Sequence, residues 1–298
     1  MDASPSAPPV PVYRYAVGVV ITVVAILSQY FVPQTVPVTL VLYGNLPGDL
    51  FVVYGIPVIA FALLVGAGPL RNWKQRMELA SIEGLGWYGV LSLVALLVIL
   101  VLAIIYRIVD PSALQQLNKP NPALTQAAGD PWFWVGFSFV VGAFEETIFR
   151  GWIFGFWRNR TAGWIAPAIW TSALFAGVHL YYGVTYGPAA PLIFPSLFLA
   201  GFAFAATYQA SGGNLVIVAL LHGANDATAF LTLVNIAGKG PDVGLALHYL
   251  VILVGAVIGL VWFLSEKRGP MFAPAWARPE VPSLGESIGS TQVPSGPP

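Results

Sequence analysis

Glu145, Glu146 and Arg150 are the only ionisable residues between Trp132 and Trp157, a stretch otherwise suited to lipid. A charge at the centre of a membrane helix costs about 2.5–3.5 kcal/mol for Arg, Lys or Asp, so three of them oppose insertion by roughly 8–10 kcal/mol unless they pair or neutralise. Glu146 and Arg150 are four residues apart and share a helix face, where their charges can cancel. Glu145 is turned about 100° from Glu146 and addresses a different neighbour. One carboxylate is therefore left for proton transfer. The competing structural reading is an ion-pair network that holds helices together, and a second glutamate outside the pair weighs against it.

The chain has three histidines. His179 closes Phe175-Ala176-Gly177-Val178-His179, whose small residues let a neighbouring helix come close. His222 opens His222-Gly223-Ala224-Asn225-Asp226, with Asp226 one helical turn on to orient it. His248 lies near the start of the last apolar run and reads as interfacial and structural.

A glutamate and two histidines admit two chemistries. The carboxylate can act as general base toward a water, one imidazole sharing the proton, while the second imidazole and a polar neighbour steady the oxyanion. Alternatively, Glu145, His179 and His222 form a His₂Glu set that holds catalytic zinc, with water in the fourth position. The residues do not choose between these, so zinc stays open as a cofactor. The absence of cysteine removes cysteine nucleophiles and thiolate zinc sites. No His-Glu-x-x-His helix or Walker loop occurs. Ser138, in Gly136-Phe137-Ser138-Phe139, is a poor match to a nucleophile turn.

What must position these residues is a membrane bundle. The 298 residues are 57% apolar and only 9% charged, whereas a soluble domain carries about 25% charged residues. A net charge of zero leaves no nucleic-acid footprint. Runs that approach the roughly 20 apolar residues of a membrane helix fall near 14–32, 48–67, 84–106, 132–157, 167–187, 190–209, 213–234 and 244–264. The fold expected is all-α: a polytopic transmembrane bundle of about eight helices with an intramembrane polar cavity.

Arg71, Lys74 and Arg76, then Arg158 and Arg160, then Lys267 and Arg268 fall in alternate loops. The positive-inside rule then places both termini in the cytoplasm. Arg107 and Lys119 after the third run cut across this pattern. Glu145 and His179 each lie about 18 Å along their helices from that face, and His222 about 14 Å. Met1 to Val12 is Pro-rich with no basic region, so it reads as disordered rather than as a cleavable signal. Residues 267–298, rich in Pro, Ser and Gly, also read as disordered. One membrane domain, 13–266, remains between them.

Glu145-Glu146-Thr147-Ile148-Phe149-Arg150, Phe175 to His179 and His222 to Asp226 stand in order on three separate runs. They resemble the Glu-Glu-x-x-x-Arg, Phe-x-x-x-His and His-x-x-x-Asn/Asp pattern of the CPBP family of intramembrane proteases, also called the type II CAAX prenyl endopeptidase or Abi family. The resemblance covers a core of residues 130–235. It implies an endopeptidase in the plasma membrane of a prokaryote, opening toward the cytoplasm. A peptide or lipidated protein, such as a prenylated CAAX-type chain, is then the substrate.

By that resemblance Glu145 and His179 activate water, as a glutamate-dependent protease or a metalloprotease. His222 and Asp226 bind the oxyanion or position the substrate, and Glu146, Arg150 and Asn225 support. One departure stands out. Asp226 occupies the place where prenyl-protein members have Asn, and a carboxylate donates a hydrogen bond only when protonated. Asp226 is thus better suited to orient His222 or to ligate a metal. Two rival readings use the same residues: a proton-coupled transporter or channel, which calls for inverted-repeat halves not visible in the sequence, and a catalytically inactive scaffold.

Overall fold

The structure, a computed structural model, describes residues 10–31, 46–71, 73, 79–112, 131–179, 187, 190–236 and 243–264. Each expected run becomes helix, and no strand occurs among the described residues. α1 is Val12–Phe31. α2 is a rod of three pieces: Leu46–Leu50, a π-helical turn Phe51–Gly55, and Ile56–Leu64. A short turn of helix, Gly68–Arg71, leads toward α3, Leu79–Val109. α4 is again tripartite: Pro131–Glu146, a π-helical stretch Thr147–Phe154, and Gly155–Arg158. Then follow α5, Ile165–Val178; α6, Ala190–Ala210; α7, Leu215–Ile236; and α8, Val243–Leu264.

Among the described residues, three helical segments are long and apolar enough to cross a membrane: Ile82–Val109, Trp132–Arg158 and Pro191–Ala210. Shorter apolar helical stretches accompany them in the other five elements. The chain is an integral membrane protein by this criterion. The exposed flanks of α3 (Leu97, Val101, Ile104) and α8 (Leu253, Val257, Leu260) suit lipid contact.

α5 ends earlier than its apolar run. His179, at φ −96° and ψ 14°, leaves helical geometry just after Val178. The start of α7 has a local cause. Gly212 and Gly213 take positive φ (69° and 86°) to turn the chain. Asn214 then caps the helix, its Oδ1 accepting from the Val216 N–H at 2.9 Å.

The centre of the bundle is α4. All eight residues from Thr147 to Phe154 are buried, Arg150 among them. α4 and α7 share the most extensive helix contact in the fold. Glycines make that approach. A Cβ on Gly142 would stand 2.8 Å from the Gly223 nitrogen, and one on Gly223 would stand 2.6 Å from Phe139 Cα. No flexible side-chain tip is there to yield. Gly223→Val is therefore expected to push α4 and α7 apart, lowering the unfolding midpoint in detergent by an amount equivalent to about 1–3 kcal/mol. It should disturb the site one residue away, and a thermal melt checks it.

The expectations for the termini and for Lys74, Arg76, Lys119, Lys267 and Arg268 lie outside the described residues. So do those for the side chains of Arg71 and His248.

Candidate active site

Glu146, at the end of the α-helical part of α4, is fully buried and pairs with Arg150 one turn on: Arg150 Nη1 donates to Glu146 Oε1 at 2.9 Å. Arg150 Nη2 donates to the Gly201 carbonyl of α6 at 2.8 Å. The guanidinium carbon also lies 5.0 Å from the Phe175 ring centroid and 5.3 Å from that of Phe204. Both rings are within cation–π range. One arginine thereby ties α4 to α5 and α6.

The same Glu146 oxygen has a second partner that the sequence did not show. His222 Nδ1 lies 2.6 Å from Glu146 Oε1. A carboxylate oxygen accepts, so Nδ1 is the donor. The other ring nitrogen, Nε2, then faces Asp226 Oδ2 at 3.4 Å and Glu145 Oε2 at 3.7 Å. The imidazole stacks on Phe204, with centroids 4.7 Å apart and planes 15° from parallel. His222 is thus fixed on three sides.

Glu145, only 8% exposed, turns to α2 as well as to α7. The Tyr54 hydroxyl donates to its Oε1 at 3.1 Å. Tyr54 in turn stacks on Phe144, centroids 5.5 Å apart. Neither Tyr54 nor Phe204 was visible as a site residue in the sequence. The available signal for Tyr54 was a polar-tipped ring in the apolar run 48–67.

His179 sits at the C-terminal cap of α5, its Nδ1 2.7 Å from the Phe175 carbonyl. A carbonyl only accepts, so Nδ1 carries the hydrogen, and in the neutral ring Nε2 is the basic nitrogen. Phe175 lies between the two imidazoles in the contact network: its ring centroid is 4.8 Å from that of His179 and 5.8 Å from that of His222. Asn225 is half-buried, and its side chain makes no hydrogen bond to the other described residues. Ser138 spends its hydroxyl locally, on the Trp134 carbonyl at 2.9 Å.

Among the described residues no group of three His, Asp or Glu side chains is arranged to hold a metal ion. Glu146 Oε1 is committed to Arg150 and His222. Glu145, His179 and His222, the set expected for zinc, form no such group among the described residues.

Residues 127–228 match the family described as type II CAAX prenyl endopeptidase Rce1-like. That stretch is about a third of the chain, and it is similar to an Rce1-like domain. No curated protein and no solved structure matches it. The matched stretch runs from just before α4 into α7, so it includes Glu145, Glu146, Arg150, His179, His222 and Asp226, and leaves Tyr54 outside. The family so described is one of endopeptidases. The buried cluster of Glu145, Glu146 and His222 is consistent with that activity.

Proposed function

We propose that the chain is an endopeptidase that hydrolyses a peptide bond of a membrane-associated protein, with the Glu145 carboxylate and His179 activating the water. The observation that carries this reading is the division between adjacent glutamates. Glu146 is held by Arg150 and His222. Glu145 meets a neutral hydroxyl and faces His222 Nε2 across 3.7 Å, too long for a direct hydrogen bond and short enough for both to reach one substrate atom.

In the proposed reaction the water oxygen adds to the scissile carbonyl carbon and its proton passes to Glu145. The carbonyl becomes an oxyanion. The oxyanion then collapses to the carboxyl group as the C–N bond breaks, and the amine nitrogen takes that same proton from Glu145, directly or by way of His179 Nε2. His222 serves the oxyanion only as an imidazolium, because Nδ1–H is already directed at Glu146 and Nε2 must carry its own hydrogen to donate. Asp226, 3.4 Å from Nε2, accepts that hydrogen and orients the ring until the oxyanion forms and takes its place as acceptor.

Asp226→Asn keeps an acceptor oxygen, so it should retain activity within about fivefold of wild type. Asp226→Ala should lose about tenfold or more, in line with a hydrogen bond to a charged group. Turnover measurements on both variants check the assignment.

The membrane domain 13–266, with both termini and the site opening toward the cytoplasm, belongs to the same proposal. So does a prenylated CAAX-type substrate. The test is cleavage by protein in liposomes of membrane-anchored peptides with and without a prenyl group. Cleavage that requires the anchor is expected. Proton flux with no cleavage of any peptide would overturn the reading in favour of a relay.

A further inference from the structure

We infer that Tyr54 is a positioning residue for Glu145, so that the site is completed by a helix outside the matched domain. The inference rests on the proteolytic reading above and adds a fourth helix to the three that carry the motifs.

Tyr54 stands in the π-helical turn Phe51–Gly55 of α2. Such turns widen the backbone bonding to i→i+5 and shift the register of side chains on the helix, and they recur at functional sites. Here the turn presents the phenol to α4. Its hydroxyl donates to Glu145 Oε1 at 3.1 Å, while Glu145 Oε2 faces His222 Nε2 at 3.7 Å. The two carboxylate oxygens therefore have different surroundings. Tyr54 occupies one, and the other is directed toward the imidazole.

The ring itself is held from two sides. Phe144, the residue before Glu145, stacks on it with planes 17° from parallel. Tyr54 also packs against the buried cluster that includes Val53, Phe61, Phe149 and Trp152. Without the hydroxyl, Glu145 has three rotatable side-chain bonds and no donor fixing Oε1. The carboxylate would then sample orientations in which Oε2 no longer addresses the scissile carbon. A general base must lie within hydrogen-bond reach of the proton it takes, and a misplacement of about 1 Å can cost about a hundredfold.

The experiment is steady-state cleavage of a membrane-anchored peptide in liposomes by wild type, Tyr54→Phe and Glu145→Gln. Tyr54→Phe keeps the ring and its stacking and removes one oxygen. It should lower kcat about tenfold, leave KM within about twofold, and leave the unfolding midpoint in detergent unchanged. A merely structural tyrosine would move the midpoint and not kcat, which overturns the inference. A raised KM with unchanged kcat makes Tyr54 a substrate contact and also overturns it. If Glu145→Gln cleaves like wild type, the proteolytic role of Glu145 fails and this inference fails with it. If Glu145→Gln is inactive while Tyr54→Phe equals wild type, this inference alone fails.

Discussion

Glu145→Gln is expected to abolish cleavage, lowering kcat by about 10²–10⁴-fold, in a protein that stays folded. The substitution is nearly isosteric, and the amide oxygen still accepts from the Tyr54 hydroxyl that now reaches Oε1. What disappears is the ability to take a proton from water. Stability should change little because Glu145 is not the partner of the buried arginine; that partner is Glu146. His222 Nε2, 3.7 Å from Glu145 Oε2, is too far for a direct hydrogen bond. Turnover of a membrane-anchored peptide and a thermal melt of the same preparation decide the matter. Residual activity above about a tenth of wild type, against the 10²-fold loss general-base catalysis predicts, removes Glu145 from proton transfer.

That separation of two neighbouring glutamates was readable in the sequence, because it follows from local helix geometry. Residues four apart on a helix meet, and residues one apart do not. The Glu146–Arg150 pair in α4 is such a local consequence. The helices themselves were equally legible from apolar run length.

The contacts that cross between helices were not legible. His222 Nδ1 reaches Glu146 over 76 positions of sequence, and the contact depends on how closely Gly142 and Gly223 let α4 and α7 approach. Small residues signal that helices can come close, without saying which helix or in what register. Tyr54 was one of 12 tyrosines, and only the π turn of α2 directs it at α4. The π-helical stretch Thr147–Phe154 had no sequence mark either. Its residues are buried on every side, so packing by neighbours, rather than propensity, sets the backbone there. The early end of α5 at Val178 was hidden because Leu180, Tyr181 and Tyr182 continue the apolar run. Asn225 was adjacent in sequence to Asp226 yet lies about 100° away on the helix, and its side chain makes no hydrogen bond to the other described residues.

Glu146→Leu should be the most destabilising single change, by about 3–5 kcal/mol. Arg150 is 1% exposed, and the substitution removes its only carboxylate partner among the described residues, leaving the Gly201 carbonyl. Its Nε is already buried without a hydrogen-bond partner among the described residues. A buried pair broken on one side leaves an uncompensated charge. The same pair replaced on both sides by apolar groups of similar volume is often neutral. Glu146→Leu combined with Arg150→Met should therefore recover most of the unfolding midpoint in detergent. Cleavage should not recover with it, because His222 Nδ1 still lacks the acceptor that holds it at 2.6 Å. A double variant that is both stable and active would make Glu146 a counter-charge for Arg150 and nothing more. A double variant that is stable and inactive assigns it the second task, holding the imidazole that faces Glu145.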